Sequence, residues 1–294
     1  MRILICGVSG MVGHKMWRLF TRTHDDVLGT LHRGRDEVST YRQCDERVVE
    51  HFDAVDFEGA TALLERVRPS VIVNCIGITK RKTEAGDIGK MFRVNALFPH
   101  HLARWAASKG ARLIHFSTDC VFDGADGSYD ERSVVTSSDL YGQTKYFGEL
   151  DYDRCLTIRT SMIGREITGR TELLEWFLAQ AGRTISGFTR ARYSGLTTSV
   201  MARVVNRLVT DYPDLCGKYQ VAGPVITKYA LLCKIRDAFG VDVQIVPQDD
   251  FVCDRTLRPQ RFESVTGIII PSWDEMLAEE ASDRAYYDGP AHGC

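Results

Sequence analysis

The chain has 294 residues, a formal net charge of −2, 44% hydrophobic residues and 26% charged residues. This composition is that of an ordinary globular protein with room for two unequal lobes, and it gives no basic patch that would favour a nucleic acid as partner. The first apolar run ends at Gly7, before a signal peptide or membrane span is reached, so we expect a cytoplasmic protein without membrane contact.

Cysteine and histidine give no support for disulfides or metal. The nine cysteines form no Cys-x-x-Cys pair and several stand in apolar runs, so we expect reduced thiols in the core. The eight histidines include the adjacent His100 and His101 but no His-x-x-x-His pattern. The sequence therefore predicts no metal site.

A glycine-rich turn follows the first predicted strand. Residues 2–6 predict a strand and residues 15–23 a helix, with Gly7, Gly10 and Gly13 between them. Such glycines permit a tight turn, the approach of backbone N–H groups to a pyrophosphate, and close helix–strand packing. The spacing differs from the commoner dehydrogenase pattern, and a mobile turn is the competing interpretation. We expect a dinucleotide site that also includes Ser9, Met11 and Val12.

The second predicted strand, residues 27–31, favours a phosphorylated cofactor. It ends roughly 20 residues after the glycines, where a carboxylate would hold a ribose hydroxyl. The chain places Arg33 and Arg35 there instead, although Asp36 and Glu37 follow. Since a guanidinium suits a 2′-phosphate, NADPH held by Arg33 is favoured. NADH remains the alternative, and a solvated loop competes with both.

The next predicted units are a helix over residues 59–68, a buried strand over 70–77 and a long helix over 92–110. Lys80, Arg81 and Lys82 follow the strand, where they would meet a diphosphate or only solvent. Asn95 is polar within an apolar stripe. It would either be a satisfied core amide or support a lysine through water.

Residues 115–145 carry the candidate reaction chemistry. Residues 111–116 predict a strand, at whose end Thr118 or Ser117 presents a hydroxyl that can orient a carbonyl oxygen. Tyr141 and Lys145 stand four residues apart in a predicted helix and so share one face. A lysine cation stabilises a tyrosinate, which makes the phenol a usable proton donor. An exposed helix face is the competing interpretation of this common spacing.

Alternating strands and helices predict an α/β fold with a doubly wound parallel sheet. Later elements include strands at 155–159, 218–222 and 241–246, and helices at 173–181, 198–212 and 228–239. Their less regular order suggests a smaller lobe over the carboxyl edge of the sheet. We expect a dinucleotide-binding domain of residues 1–161 with 193–222, a substrate lobe of 162–192 and 223–294, and a loose tail over 281–294.

Four motifs together carry a family resemblance: the Gly7, Gly10 and Gly13 triplet, Asn95, STDCVFDG at 117–124 and YGQTKYFGE at 141–149. The chain resembles extended short-chain dehydrogenase/reductases with a Rossmann sheet, and more narrowly the dTDP-4-dehydrorhamnose reductase group. The resemblance extends through RTSMIG at 159–164. It implies that Thr118, Tyr141 and Lys145 are catalytic. It also implies cofactor contacts at Asp56, Phe57, Cys75, Ile76, Gly77 and Asn95.

Departures from the group's pattern concern the substrate. Cys120 replaces a tyrosine, Met162 replaces an aromatic residue, and NCIGITKRK replaces an alanine-rich stretch. The chain also contains NCIGITK, VNALFPHHLA, STDCVFDG, GFTRARYSGLTT and DRTLRPQRF, which are similar to a subgroup that acts on nucleotide-linked acetamido dideoxy-hexoses. This similarity favours a UDP sugar over a dTDP sugar. Arg255 and Arg261 would clamp the diphosphate, with structural ion pairs as the alternative. The expected substrate contacts are Lys80, Asp119, Cys120, Met162, Arg192, Arg255 and Arg261.

The resemblance implies an NADPH-dependent reductase that converts the C4 ketone of a nucleotide-linked 4-keto-6-deoxy-sugar to an alcohol, in deoxysugar and surface polysaccharide biosynthesis. One alternative is an epimerase or dehydratase of the same fold, for which Asp119 would supply a carboxylate. The other is a regulatory subunit, because the methionine adenosyltransferase beta subunit resembles the same reductases. Whether the chain forms a homodimer stays open at this point.

Overall fold

The computed structural model describes residues 1–38, 47–80 and 86–288. Strands within these ranges are β1 (Ile3–Cys6), β2 (Val27–Thr30), β3 (Val48–Val49), β4 (Val71–Asn74), β5 (Arg112–Phe116), β6 (Cys155–Arg159), β7 (Met162–Ile163), β8 (Thr184–Phe188), β9 (Ala191–Tyr193), β10 (Leu196–Thr197), β11 (Gly217–Gln220), β12 (Ile226–Thr227), β13 (Gln244–Gln248) and β14 (Cys253–Asp254).

The α-helices in the same ranges are α1 (Gly13–Thr23), α2 (Phe57–Val67), α3 (Ile88–Met91), α4 (Phe98–Lys109), α5 (Leu140–Phe147), α6 (Leu173–Leu178), α7 (Thr198–Thr210), α8 (Lys228–Phe239), α9 (Gln260–Thr266), α10 (Trp273–Ser282) and α11 (Arg284–Asp288). A π-helical segment, Phe92–Leu97, joins α3 to α4. Short 3-10 turns occupy Arg35–Glu37 and Asp119–Val121.

A seven-stranded parallel sheet forms the centre of the fold, in the order β11-β6-β5-β4-β1-β2-β3. The strand order reverses at β1, next to β4, which is the arrangement of a doubly wound sheet. The predicted α/β Rossmann fold is therefore confirmed. Ligands bind such sheets outside the carboxyl ends of the strands near this reversal, so the sheet itself selects where a site can form.

Both faces of the sheet are covered, which explains why its strands are almost continuously apolar. Ile3 and Ile5 of β1 point to the face covered by α1 and α7, whereas Leu4 and Cys6 point to the face covered by α2 and α4. Side chains alternate along a strand, so a single four-residue segment supplies both cores. These two cores fix the strands whose ends carry the candidate site.

The long helix predicted over residues 92–110 exists, but it begins earlier and is not uniform. Helical structure starts at Ile88, passes through the π segment, and ends where Gly110 adopts a left-handed φ of 67°. The N–H of Gly110 bonds to the Ala106 carbonyl, as expected of a glycine cap. The π segment contains Asn95, and such segments are frequent at functional sites.

The predicted loose tail is wrong for residues 281–288, because α10 continues to Ser282 and α11 follows it. Asp283 bonds to Lys15 and Arg18 of α1, each at 2.8 Å, and the Tyr287 hydroxyl lies 2.6 Å from Nε2 of His14. The polar composition resembles that of a tail, but these groups meet cations on α1. Residues 289–294 lie outside the described ranges.

Smaller sheets from the later part of the chain lie beside the main one. β9 pairs with β12 and β14, β8 with β13, and β7 with β10. The strand predicted at 241–246 is β13, which starts three residues later. Among the described cysteines all are free thiols, although Cys216 is exposed rather than in the core. Cys44 and Cys294 fall outside the described ranges.

Candidate active site

The glycine turn between β1 and α1 has the geometry of an anion site. Gly7 adopts a φ of 85°, and its N–H bonds to Oγ1 of Thr30 at 3.0 Å. A Cβ on Gly13 would lie 2.0 Å from the Gly7 carbonyl oxygen, so only glycine permits this approach of helix and turn. No described side chain caps α1, and its first turn holds no acidic residue. The uncapped N–H groups at the start of α1 therefore carry a partial positive charge that can bind a phosphate.

The remaining residues expected in this turn are accessible. Gly10 is exposed, and Ser9, Met11 and Val12 are partly exposed. Thr168 donates a hydrogen bond to the Ser9 carbonyl at 3.3 Å, which brings the segment after β7 against the turn. A bound dinucleotide would thus lie between the turn and this later segment.

The two arginines after β2 have different surroundings. The backbone N–H and Nε of Arg35 both bond to the carboxylate of Glu50, at 2.7 and 2.5 Å. Arg33 is exposed. Because Glu50 engages Arg35, Arg33 is the better candidate for an exogenous phosphate at this edge.

Asn95 joins the segment after β4 to the π segment. Its Nδ2 donates to the Ile78 carbonyl at 2.9 Å, and the Ile78 N–H donates to its Oδ1 at 2.8 Å. A Cβ on Gly77 would lie 3.5 Å from this Oδ1 and 3.9 Å from Nζ of Lys145. The amide therefore holds the loop of Cys75, Ile76 and Gly77 close to Lys145 by direct contacts.

Asp56 and Phe57 have local roles in the structure. Asp56 caps α2 by accepting a 2.9 Å bond from the N–H of Gly59, and Phe57 stacks on His101 with ring centroids 4.9 Å apart. Asp56 is exposed, so these contacts leave its carboxylate accessible. Their cofactor contacts stay predictions.

Thr118, Tyr141 and Lys145 lie together at the end of β5. Nζ of Lys145 donates to the Phe116 carbonyl at 2.5 Å, and Lys145 is 5% exposed. Burial raises the pKa of Tyr141, and the Thr118 side chain lies close enough to the phenol to oppose that rise. The hydroxyl of Thr118 also donates to Oδ1 of Asp119 and accepts from the Cys120 N–H, each at 3.1 Å. The Thr118 hydroxyl thus lies near the Tyr141 phenol, and Lys145 stands one helical turn further along α5.

Ser117 has a different set of contacts from Thr118. It donates to Oε1 of Glu149 at 2.8 Å. The same carboxylate forms buried bonds with Arg159 at 2.6 and 2.8 Å and pairs with Lys218. Thr118, which lies near the Tyr141 phenol, is therefore the better candidate, and its catalytic role stays a prediction.

Burial sets the protonation states of Lys145 and Tyr141. Burial lowers the pKa of Lys145 from 10.5 to about 8, against the raising effects of Glu149 and Cys75. Burial likewise raises the pKa of Tyr141 above its ordinary value, since desolvation outweighs the opposing effect of Thr118. Tyr141 is accordingly a neutral phenol, the form that can donate a proton.

Four of the expected substrate residues surround Thr118. Asp119 is 7% exposed, and burial raises the pKa of its carboxyl. Nη1 of Arg255 lies 3.8 Å from Sγ of Cys120, and its Nε donates to the Phe122 carbonyl at 2.8 Å. Burial raises the pKa of Cys120 to about 11, and Lys80, which pairs with Asp139 at 3.7 Å, opposes that rise. Asp119, Cys120, Arg255 and Lys80 together form what we call the mouth of the candidate site. Its two cations are Arg255 and Lys80.

The other three expected substrate residues are not all brought to this mouth. Met162 follows Ser161 as the first residue of β7, and its side chain is partly exposed. Arg192 bonds to Asp254 at 2.9 Å and is half exposed. Arg261 donates to the Lys218 carbonyl at 3.0 Å and lies over the Tyr219 ring, 4.5 Å from its centroid. Arg261 thus packs on the outermost strand, β11, and does not converge with Arg255.

The sequence of this chain matches, over residues 1–283, the family described as the RmlD substrate binding domain. The chain belongs to this family. Methionine adenosyltransferase 2 subunit beta of Xenopus tropicalis is 27% identical over 255 residues, covering 82% of this chain and 72% of that protein. A dTDP-4-keto-6-deoxy-D-glucose reductase of Streptomyces niveus is 37% identical over 122 residues, covering 40% of this chain and 42% of that protein.

Solved structures of the RmlD family share the fold. The crystal structure of dTDP-4-dehydrorhamnose reductase from Bacillus anthracis in complex with NADP superposes with a TM-score of 0.77 at 20% identity, covering 96% of this chain and 99% of that chain. At this level of identity the likeness establishes the Rossmann architecture. It adds no assignment of individual site residues.

Two residues of the mouth were missed by the sequence analysis. Tyr193 of β9 is 4% exposed and lies near enough to Asp119 and Cys120 that both raise the pKa of its phenol, after burial. Nζ of Lys228, at the start of α8, lies 3.8 Å from the centroid of the Tyr193 ring and acts to lower the pKa of Asp119. Tyr193 lies within GFTRARYSGLTT, but nothing in that segment distinguishes it, and Lys228 lies outside the quoted segments, so only the packing of β9 and α8 identifies them.

Within residues 1–38, 47–80 and 86–288, no helix has the length and apolar character needed to cross a bilayer. Over the same ranges, His, Cys, Asp and Glu side chains nowhere gather in threes or more as metal ligands.

Proposed function

We propose that this RmlD-family chain reduces the C4 ketone of a nucleotide-linked 4-keto-6-deoxy-sugar with NADPH. The observation that carries the proposal is that Thr118 lies beside the Tyr141 phenol, while Lys145, one turn further along α5, reaches the end of β5. The family and the reductase relative support this class of reaction.

Each of the three residues has a distinct task. Thr118 orients the ketone oxygen, and Tyr141 donates its proton to the alkoxide as that oxygen gains charge. Lys145 stabilises the tyrosinate that remains, because an ammonium group favours a nearby anion. The nicotinamide cofactor supplies the hydride when bound. The protein groups around the substrate then determine which ketone receives the hydride.

The cofactor would lie across the sheet edge. The turn at Gly7, Gly10 and Gly13 would hold its pyrophosphate, and Arg33 its 2′-phosphate. Lys145 would also reach the ribose hydroxyls beside the nicotinamide. The fit of this pocket rests on the uncapped start of α1 and the close approach at Gly13. NADH remains the second cofactor choice.

For the substrate we propose a UDP-linked acetamido sugar in preference to a dTDP sugar. The support comes from the similarity of NCIGITK, STDCVFDG and DRTLRPQRF to the corresponding subgroup. Arg255 and Lys80 provide positive charge at the mouth, where a diphosphate requires it. Residues 162–192 and 223–294 would form the lobe that closes over the sugar.

The test is a direct assay of hydride transfer. Purified protein is offered UDP-linked and dTDP-linked 4-keto-6-deoxy-sugars with NADPH or NADH, and the loss of reduced cofactor is followed by absorbance. Consumption of NADPH with an acetamido UDP sugar supports the full proposal. Reduction of the dTDP sugar alone would retain the reductase and refute the UDP assignment.

A second candidate is an NADP-binding subunit of a larger assembly. It is favoured by the similarity to methionine adenosyltransferase 2 subunit beta, which spans 82% of this chain. The two candidates separate in one experiment. A protein that binds NADPH but oxidises it with none of the keto sugars would favour the subunit over the reductase.

A further inference from the structure

Residues 166–172, which we call the strap, form a compact loop between β7 and α6. The carboxylate of Glu166 accepts hydrogen bonds from the N–H groups of Thr171 and Glu172, at 2.8 and 2.9 Å, and so ties the two ends of the loop together. Gly169, in the middle of the strap, is exposed and adopts a φ of 92°. Because its ends are bonded to each other, the strap can move as a unit.

Side-chain hydrogen bonds join the strap to two loops at the carboxyl edge of the main sheet. Oγ1 of Thr168 donates to the Ser9 carbonyl in the glycine turn at 3.3 Å. Oγ1 of Thr79 donates to Oε1 of Glu172 at 2.9 Å, and we call this bond the clasp. The glycine turn follows β1 and Thr79 follows β4, and these two strands are neighbours in the sheet. The strap therefore bridges the loops after two adjacent strands.

The chain around Thr79 is fixed against α5, the helix that carries Lys145. Ile78, the residue before Thr79, forms two hydrogen bonds with Asn95, at 2.8 and 2.9 Å. Nδ2 of Asn95 also donates to Oγ1 of Thr144 on α5 at 3.2 Å. The clasp therefore attaches the strap to a firmly held part of the sheet domain.

A nicotinamide cofactor would pass between the strap and the sheet. Its pyrophosphate would lie at the glycine turn and its nicotinamide ribose near Lys145. The surface between these two points is continuous, since a Cβ on Gly7 would lie 2.7 Å from Cγ1 of Ile76, and a Cβ on Gly77 would lie 3.9 Å from Nζ of Lys145. The strap is bonded to the sheet domain near both ends of this surface.

We propose that the strap covers the bound cofactor and that the clasp controls how fast the cofactor enters and leaves. The Thr79–Glu172 bond forms with and without the cofactor and must break before either step. Because it joins two parts of the protein, its loss lowers the barrier in both directions and leaves the affinity nearly unchanged. Thr79 and Glu172 are thus positioning residues. The inference rests on the cofactor of the proposed function and not on which sugar is reduced.

The experiment measures the exchange of NADPH by stopped-flow fluorescence, without any sugar. Mixing the protein with NADPH gives the association rate constant, and displacement of bound NADPH by excess NADP⁺ gives the dissociation rate constant. Thr79→Val removes the hydroxyl of the clasp and keeps the shape of the side chain. Glu172→Ala removes the acceptor and its charge, whereas Glu172→Gln removes the charge but keeps an oxygen that can accept the bond.

Thr210→Val is the matched control. Its hydroxyl also donates to a carboxylate, Oδ1 of Asp211, at 2.7 Å at the end of α7. That end of α7 lies at the opposite edge of the sheet, because Arg112, the first residue of β5, bonds there to the Leu208 carbonyl. The control therefore removes the same kind of bond far from the strap.

We expect Thr79→Val and Glu172→Ala to raise both rate constants about threefold to tenfold, the effect of one lost hydrogen bond, with Kd within about twofold of wild type. The double variant should exchange NADPH no faster than either single variant, since all three lack the same bond. Glu172→Gln and Thr210→Val should keep both rate constants within about twofold of wild type.

Three results would overturn the inference. One is unchanged exchange in Thr79→Val and Glu172→Ala. Another is a faster dissociation matched by an equal rise in Kd, which would make the two residues contacts of the cofactor. The third is equal acceleration in Glu172→Gln or in Thr210→Val, which would assign the effect to charge or to general loosening. Failure of the reductase proposal is seen separately, as absent hydride transfer in a protein whose NADPH exchange still depends on Thr79.

Discussion

Nζ of Lys145 donates a 2.5 Å hydrogen bond to the carbonyl oxygen of Phe116, the last residue of β5. This bond fixes the ammonium group at the end of the strand that leads into Thr118. Burial lowers the pKa of the same group to about 8. The charge that supports Tyr141 in the proposed reaction is therefore lost at mildly alkaline pH.

We predict that kcat/KM for reduction falls as pH rises through about 8. Below this pH Lys145 is charged and stabilises the tyrosinate that forms, whereas above it the neutral amine gives little stabilisation. Rate profiles of wild type and Lys145→Met, measured between neutral and alkaline pH, check this. The variant should be slow and should lack the alkaline decrease. A decrease that persists in Lys145→Met would assign it to another group.

The lowered pKa of Lys145 also determines the direction in which the stability of the protein changes with pH. Between about 8 and 10.5 the folded protein has released the proton of Lys145 while the unfolded chain still binds it. The unfolded state then binds more protons, so the contribution of this group to the free energy of unfolding rises with pH over that window. Below the window, burial of the charged ammonium is a cost that Lys145→Met removes.

Tyr141→Phe should abolish reduction and preserve cofactor binding. The substitution removes the proton donor and keeps the ring, and the loss of one positioned general acid lowers the rate by about 10²–10⁴. Steady-state kinetics and NADPH titration on one preparation measure both effects. Reduction within a few-fold of wild type would show that the mechanism assigned to Tyr141 is wrong.

Arg33→Ala should weaken NADPH far more than NADH, because only NADPH carries the 2′-phosphate. Arg35→Ala removes an equal charge from the same loop, but its guanidinium is already bound to Glu50. This control should change the two affinities in the same proportion. Fluorescence titration with both cofactors gives the four constants. An equal loss for NADPH and NADH in Arg33→Ala would leave Arg33 as a solvated loop residue.

Asn95→Ala should destabilise the protein and weaken the cofactor together. The substitution leaves the N–H and carbonyl of Ile78 buried without the two bonds that Asn95 makes, at a cost of about 2–4 kcal/mol. The loop at Gly77 then loses its support beside Lys145. Urea unfolding and NADPH titration measure the two effects. Asn206→Ala, on α7, is the control and should show neither change in comparable size.

Patterns that are local in sequence predicted the part of the site that lies on the sheet. Tyr141 and Lys145 share one face of α5 because helical spacing brings residues four apart to one side, and the glycine turn follows from the strand and helix that flank it. The same reasoning could not choose between Ser117 and Thr118. That choice depends on Glu149, whose carboxylate takes the Ser117 hydroxyl and is itself held by Arg159.

Contacts between distant segments were the ones that the sequence did not reveal. Tyr193 reaches the mouth only because β9 pairs with β12 and β14, three short strands without a periodic pattern. Asp283 holds the end of the chain in place because it binds Lys15 and Arg18 of α1, which are distant from it in sequence. Burial and ion pairing of this kind arise from tertiary packing, so composition alone made residues 281–288 resemble a tail.

The last prediction separates Arg255 from Arg261, which the sequence treats as one diphosphate clamp. Arg255 lies 3.8 Å from the Cys120 sulfur at the mouth, whereas Arg261 binds the Lys218 carbonyl and covers Tyr219 on β11. Arg255→Ala should therefore raise KM for the nucleotide sugar about tenfold to a hundredfold, the effect of losing a charge-assisted contact, without a change in NADPH affinity. Arg261→Ala removes the same charge and should leave KM within about twofold, with a small loss of thermal stability as its main effect. Steady-state kinetics and thermal melts of both variants test this prediction. An equal rise in KM for the two variants would support a diphosphate clamp made by both arginines and would place the diphosphate along β11.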